Sequence, residues 1–478
     1  MELRSDQFQR LASDALARTD AREQRDLLGV HMPKVRDEAV AQLADFEGLR
    51  EHVKRVKDHT LDHLSHYLRQ FEEQVVMNGG HVHWARDSAE LNEIVLEICR
   101  AADAREVGKG KSMITEETGL TAALEDAGLR VTETDLGEYI VQVAGETPSH
   151  IIGPAWHKSE QDIRDLFIDK HALGERDLSD PAAMVQEARN ILRERFLAAD
   201  VGIVGSNALI AETGQSMLVT NEGNGDLVSA LPRVHIVCAS IEKVLPRPED
   251  ALNQLRLLVS SAIGTSVTSY TSFYTGPRRA DDEDGPDAFH VVLLDNKRSD
   301  ILGGNYQDML ACMRCGACLS HCPVYIGAGG HAYGWVYPGP MGSVLTPLLN
   351  SLDAASELPN ACTGCGRCEE VCPAAIPLPG LLRDLRAEEH AQKITPARWR
   401  CGLQLHSLIA RWPAVYHALT GLVIGLLHRL GARRGAFTTL PLASGWTAAR
   451  DFPAPQGDTF MRQWQRQQRA RAKERGNG

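Results

Sequence analysis

A long hydrophobic run is missing from this chain: its longest uncharged apolar stretch, Ala418 to Leu427, is ten residues. That is about half of the roughly 20 a membrane-crossing helix needs, so no membrane span is expected. The first residues, MELRSDQFQR, lack the basic segment followed by an apolar one that export requires. The expected compartment is therefore the reducing cytoplasm. Positive charge is also short, with 51 Lys and Arg against 63 Asp and Glu, a net charge of −12. This excludes a protein that binds nucleic acid by neutralising phosphates. No phosphate loop, dinucleotide glycine fingerprint or nucleophile–base arrangement occurs in strand–turn–helix context, so neither NAD nor ATP is expected as a ligand. With 43% hydrophobic and 24% charged residues the chain is not a disordered one. Its 478 residues, at about 150 per domain, call for more than one core.

The chain has four compositional stretches: a helical extension at 1–60, an α/β domain at 61–300, a Cys/Gly/Pro-rich domain at 301–390, and a helical C-terminal region with a basic tail at 391–478. From Asp37 to about Gly79 the pattern is helical. Leu61, Leu64, Leu68, Phe71 and Val75 recur at spacings of three and four, which predicts one stripe laid on one core. Short β-branched runs follow at Arg130–Thr134, His150–Ile152, Val201–Val204, Met217–Thr220, Val234–Cys238 and His290–Leu294, separated by helical stretches such as Pro248–Ile263. This alternation predicts βαβ units and a mainly parallel sheet. The segment 277–286 (PRRADDEDGP) reads as a surface loop. The tail, with Arg462, Arg466, Arg469, Arg471, Lys473 and Arg475, reads either as a solvated helix or as a docking arm for an acidic partner or membrane surface.

Eight of the 11 cysteines fall between positions 312 and 372. Cys312, Cys315, Cys318 and Cys322, followed by Pro323, have the spacing C-x2-C-x2-C-x3-C-P; Cys362, Cys365, Cys368 and Cys372, followed by Pro373, repeat it. This is the bacterial run for a [4Fe-4S] cluster. Three thiolates at intervals of three curl around one cubane, while the fourth, past a short turn and a proline, serves the other. Two [4Fe-4S] clusters are therefore expected, one on Cys312, Cys315, Cys318 and Cys372, the other on Cys322, Cys362, Cys365 and Cys368. Two complete runs ending in proline fit poorly with zinc knuckles, and disulfides do not suit an unexported chain. Gly316, Gly364 and Gly366 suit close backbone approach to the sulfurs. Cys99, Cys238 and Cys401 stand alone and are expected to be small core residues. The 39 residues between Cys322 and Cys362 exceed the linker of a minimal ferredoxin, so this domain should be helix-rich.

Polar loops carrying Ser206, Asn207, Glu212, Asn221 and Glu222 adjoin strands, where open α/β sheets place ligands; they serve either as a small-carboxylate site or simply as turns. Lys109, Lys111 and Ser112 could hold a carboxylate. His81 and His83 share one side of a strand, but no third metal ligand is evident nearby and packing accounts for them.

The segments GGHVHWARD (79–87), KGKSMITEE (109–117), TETDLGEYIVQ (132–142), PSHIIGPAWHK (148–158), GIVGSNALIAETGQSMLVTNEGN (202–224) and FHVVLLDNKRS (289–299), joined to the two cysteine runs, closely resemble the lactate-utilisation protein B family. The one departure noted is Ser206, where alanine is expected. The resemblance implies a LUD-type first domain, similar in fold to the sugar-phosphate isomerase and CoA-transferase superfamily. It also implies an iron–sulfur subunit acting with two companion proteins in the oxidation of L-lactate to pyruvate. Two readings stay open: an electron-relay subunit, or a self-contained small-carboxylate or CoA-ester enzyme whose clusters are structural. Lactate loses two electrons and cubane clusters pass one at a time, so a relay needs another site that splits the pair.

Overall fold

The computed structural model describes residues 3–17, 22–440, 443–447 and 450–476. It divides into two compact units, Met1–Ile394 and Thr395–Gly478.

The first unit is organised on a six-stranded sheet. Its strands are β1 (His81–Ala85), β2 (Glu106–Lys109), β3 (Arg130–Glu133), β4 (Val201–Val204), β7 (Val234–Ser240) and β10 (Ala288–Leu294). They lie in the order β1-β10-β7-β4-β2-β3, with every pairing parallel. The central strand β7, VHIVCAS, is buried along its whole length, as expected where helices cover both faces of a parallel sheet. Alternate residues feed two cores. Ile236, Cys238, Val292 and Leu294 pack with Leu91, Val95 and Leu120 on one face, while Val237, Ala239, Val291 and Leu293 pack with Leu68, Phe71 and Val75 on the other.

Past β4, a smaller sheet is built from β5 (Ala208–Ile210), β6 (Gln215–Thr220), β8 (Val244–Leu245) and β9 (Tyr270–Tyr274), in the order β8-β5-β6-β9. The expected strand at Met217–Thr220 belongs here, antiparallel to both neighbours, and not to the parallel sheet. The expected strand at His150–Ile152 does not form. His150 Nδ1 instead accepts the N–H groups of Ile152 and Gly153, at 3.0 and 3.2 Å, a local side-chain turn that competes with sheet pairing.

The single helix expected over 37–79 is three: Met32–Ala41, Phe46–Asp62 and Leu64–Met77. The break at His63 has a physical reason. Val53 and Leu61 face the core that contains the cysteines, whereas Leu64, Leu68, Phe71 and Val75 face the sheet. One straight helix could not present both stripes.

Residues 308–376 form short helices joined by loops, on a core that also takes Phe8, Ala12, Leu28 and Val53 from the N-terminal helices. Arginines from those helices clamp the second cysteine run. Arg50 donates to the carbonyls of Cys372 (2.7 Å) and Glu369 (2.9 Å), and Arg36 to that of Val371 (3.0 Å).

The second unit carries the helices Ala397–Ala410, Pro413–Gly431 and Phe460–Gly476 and a two-stranded antiparallel pair, Ala436–Phe437 with Phe452–Pro453. Cys99 and Cys238 are buried core residues, but Cys401 is exposed, because no residue of its helix is buried. The side chains of Lys473 and Arg475 lie outside the described residues. Among those residues, no helix is long and apolar enough to cross a membrane.

Candidate metal centre and adjoining pocket

The duplicated spacing of the cysteine runs extends to the backbone. Gly316 (φ +76°) and Gly366 (φ +81°) hold the same left-handed position and open the short helices Ala317–Ser320 and Arg367–Glu370. Two residues earlier, Arg314 (φ +61°) stands where the second run has Gly364 (φ +73°). A non-glycine residue here costs about 1–2 kcal/mol, so its side chain must find compensation.

That compensation is a buried ionic chain leading into the α/β domain. Arg314 lies over the Tyr337 ring, 5.1 Å from its centroid, and 3.4 Å from the Glu242 carboxylate. The other oxygen of Glu242 is 3.0 Å from Arg298 Nε, an ion pair without hydrogen-bond alignment. Arg298 in turn grips both oxygens of Glu117 at 2.9 and 2.7 Å, and Tyr337 donates its hydroxyl to the same carboxylate. Burial opposes the charge on Glu242, but Arg298 and Arg314 prevail and bring its carboxyl down to about 2.

The eight thiols gather in two neighbourhoods. Cys312, Cys315, Cys318 and Cys372 line one small cavity with Ile151, Met341 and Leu378. Burial pushes the Cys318 thiol well up, and Cys315, Cys312 and Cys372 add to it, with Cys368 a lesser influence. Burial likewise pushes Cys368 up to about 12, with Cys322, Cys362 and Cys365 contributing. Each neighbourhood therefore holds three cysteines of one run and the fourth of the other, and the two adjoin. The second is the more open, with Cys365 exposed. Backbone N–H groups already point at sulfur: Gly364 donates to Cys362 Sγ (3.3 Å) and Ile376 to Cys372 Sγ (3.5 Å). All eight cysteines are free, and an all-thiolate set with amide donors suits an iron–sulfur cubane.

A cavity of about 770 Å³ lies beside the first neighbourhood, sharing Met313 and Arg314 with it. It opens at the carboxyl ends of adjacent β2 and β4, where Gly110–Ser112 and Gly205–Asn207 leave the sheet. This is the switch point at which open α/β sheets take ligands. Ser206, Asn207, Asn221 and Glu222 lie on its wall, as do Lys111 and Ser112. Glu212 does not; it sits in a separate groove with His52, Arg247 and Asp250. Lys109 is turned inward, its ammonium 2.9 Å from Glu116 and 2.7 Å from Glu133. Lys111 donates to the Ile152 carbonyl at 2.6 Å. Lys243 also lines the cavity; burial brings its ammonium down to about 8. Among the described residues, Lys243 has no hydrogen-bond or ion-pair partner of its own. Lys243 and Arg314 thus set positive charge on a wall shared with the cysteine loop. His83 meets His290, which the sequence reading did not connect with it, through a 3.0 Å contact across β1 and β10, in keeping with packing.

Family models match two parts of the chain: a LUD domain over residues 68–294 and a 4Fe-4S dicluster domain over 308–376. Among curated proteins, lactate utilization protein B of Bacillus velezensis is 40% identical over 446 residues, covering 89% of this chain and 90% of that protein. That of Shouchella clausii is 43% identical over 428 residues, covering 89% of each. The chain belongs to the lactate utilization protein B family. A protein of Escherichia coli K12 named uncharacterized electron transport protein YkgF is 38% identical over 443 residues, covering 92% of each chain. A solved structure of a DUF162 family protein from Deinococcus radiodurans matches with TM-score 0.28 and 14% identity, covering 48% of this chain and 98% of that one.

In this lactate utilization protein B family member, the LUD match takes in the whole parallel sheet, and the dicluster match takes in all eight cysteines of the two runs. Lys243, Glu242, Arg298 and Arg314 escaped sequence reasoning. Only Arg314 left a trace, as the one departure from glycine at the matched positions of the repeat.

Proposed function

We propose that the chain is the iron–sulfur electron-transfer subunit of a cytoplasmic complex that oxidises L-lactate to pyruvate, working with two companion subunits. It holds one [4Fe-4S] cluster on Cys312, Cys315, Cys318 and Cys372 and a second on Cys322, Cys362, Cys365 and Cys368. The observation that carries this reading is the sorting of the thiols, in which each run lends its fourth cysteine to the other's neighbourhood. The names of the relatives, which speak of lactate utilization and electron transport, support the wider role.

Bound clusters would supply one-electron transfer. The chain's own residues hold, shield and tune. Burial keeps the metal-free thiols of Cys315, Cys318, Cys368 and Cys372 protonated, with Cys372 pushed up to about 11, so metal uptake there releases protons. Amide donors to sulfur adjust the potential. The open second neighbourhood suits exchange of electrons with a partner, while the first lies against the α/β domain's cavity. There Ser206, Asn207, Asn221 and Glu222, with Lys111, Lys243 and Arg314, form a site for a small carboxylate or phosphorylated acid. Oxidation of lactate to pyruvate releases two electrons and two protons, so the pair is split on a companion subunit before this chain relays single electrons.

After anaerobic reconstitution, about eight irons and eight sulfides per chain are expected. Electron paramagnetic resonance of Cys372→Ser should lose the same cluster as Cys318→Ser, and Cys322→Ser the same cluster as Cys362→Ser. Loss of a common cluster in Cys372→Ser and Cys362→Ser, with the other intact, would refute the crossed assignment. Rapid lactate oxidation by the isolated chain with an artificial acceptor would replace the relay with a self-contained enzyme.

A further inference from the structure

The second unit, residues 395–478, is a folded segment almost without a core. Gly431 is its only buried residue among those described. Yet half of the large hydrophobic side chains exposed among the described residues belong to it, including Trp399, Trp412, Trp446 and Trp464. On the helix Pro413–Gly431 the exposed residues Val415, Leu419, Leu422, Val423, Leu426 and Leu430 are not scattered. At about 100° per residue they fall within one stripe roughly 100° wide. A solvated helix does not maintain such a stripe; it implies a covering surface.

Charge identifies that surface. Residues 395–478 contain 13 Lys and Arg against 3 Asp and Glu, a net +10, which leaves −22 on residues 1–394. The apolar stripe is flanked by Arg411 and Trp412 at one end and by Arg429, Arg433 and Arg434 at the other. Arginines and tryptophans gathered around an apolar helix face suit a bilayer interface, where tryptophan rings settle at headgroup level and basic residues meet anionic lipid. The helix is not long and apolar enough to cross one. We infer that residues 395–478 dock the protein onto an anionic phospholipid surface, with the Val415–Leu430 stripe in the acyl boundary and the arginines on the headgroup phosphates. The −22 on residues 1–394 is repelled by that surface, so the attraction rests on residues 395–478.

The test uses the full-length, cluster-loaded chain in vesicle co-sedimentation. Vesicles of phosphatidylcholine with 30% phosphatidylglycerol should bind it at least tenfold more tightly than phosphatidylcholine alone, with a blue shift of tryptophan fluorescence and weakening in 0.5 M salt. Leu422→Ser with Leu426→Ser should abolish binding, and Arg429→Glu with Arg433→Glu and Arg434→Glu should reduce it at least tenfold. These positions are exposed, and unchanged far-UV circular dichroism, to which the helices of residues 395–478 contribute, verifies the fold of each variant. Equal binding to both vesicle types, or none to either, overturns the proposal. If lipid binding is absent and the serine variant instead breaks up a dimer seen by light scattering, or releases a co-purified companion subunit, the face belongs to that protein partner.

Discussion

Glu242→Gln removes one negative charge from the centre of the buried chain that ties the first cysteine loop to the α/β sheet. Glu242 is 1% exposed and sits between Arg298, at 0%, and Arg314, at 7%. Breaking a buried ion pair by removing one partner costs about 3–5 kcal/mol, because the other charge stays desolvated. Arg298 keeps both oxygens of Glu117, so the lower end applies, about 3 kcal/mol. Most of that falls on Arg314, whose remaining contacts are the Cys312 carbonyl at 3.4 Å and the Tyr337 ring. At a slope of about 3 kcal/mol per molar urea, the anaerobic unfolding midpoint should drop by about 1 M. Far-UV circular dichroism and the visible absorption of the clusters should move together. The decisive arm is a double-mutant cycle with Arg314→Gly, which places at 314 the residue found at the matched position 364. Without the guanidinium there is no orphan charge, and Glu242→Gln should then cost at least about 2 kcal/mol less. An equal cost in both backgrounds, or a single-variant cost below about 1 kcal/mol, would show that the chain of charges does not hold the loop.

Two further outcomes follow from the α/β domain. Burial raises the Glu133 carboxyl to about 7, against the opposing pull of Lys109, and Glu138 is raised too. The folded state therefore holds protons that the unfolded chain gives up. The stability these two carboxyls contribute is fully present below about pH 4.5 and is lost by about 1.4 kcal/mol per pH unit per extra proton as pH rises toward 7, against the opposite slope of His150 and His235, which burial brings down to about 3. The stability of the wild type relative to Glu133→Gln should fall with this slope across that range, because the histidines act alike in both proteins; a difference that does not change with pH contradicts the assignment. At the cavity, L-lactate or inorganic phosphate at a hundredfold excess over its dissociation constant should add about 2.7 kcal/mol to the wild type. Lys243→Ala should lose most of that gain in a thermal-shift or denaturation assay, and an anion effect that survives the substitution removes Lys243 from the site.

Much of this was legible in the sequence, where spacing itself encodes geometry. VHIVCAS and FHVVLL read as buried parallel strands because both faces of such a strand are covered. Glu106–Lys109 gave no strand signal, since a four-residue strand with a glycine and two charged residues has neither alternation nor an apolar run. His150–Ile152 looked like a strand because its β-branched residues are real, but the histidine ring binds the neighbouring backbone. Leu61 and Leu64 share one periodic pattern, and only the tertiary structure sends them to different cores. Polar loops at the ends of β2 and β4 could be anticipated from the α/β pattern. Glu212 was misplaced because it follows β5, which belongs to the smaller sheet. The pairing of Arg314 with Glu242, 72 positions apart, has no local signature.

The packing of Phe8, Leu28 and Val53 into the core that carries the cysteines fixes an order of events during synthesis. Ser5 donates its hydroxyl to the Tyr333 carbonyl across 328 positions of chain. At translation rates of about 5–20 residues per second, the earliest helices wait roughly a quarter of a minute to a minute before their partners leave the ribosome. The parallel sheet between them can close in that interval, but the cysteine core cannot. A finished cysteine core therefore comes late, once the chain has folded back on its own beginning, and the α/β part has time to form before iron and sulfide can be enclosed.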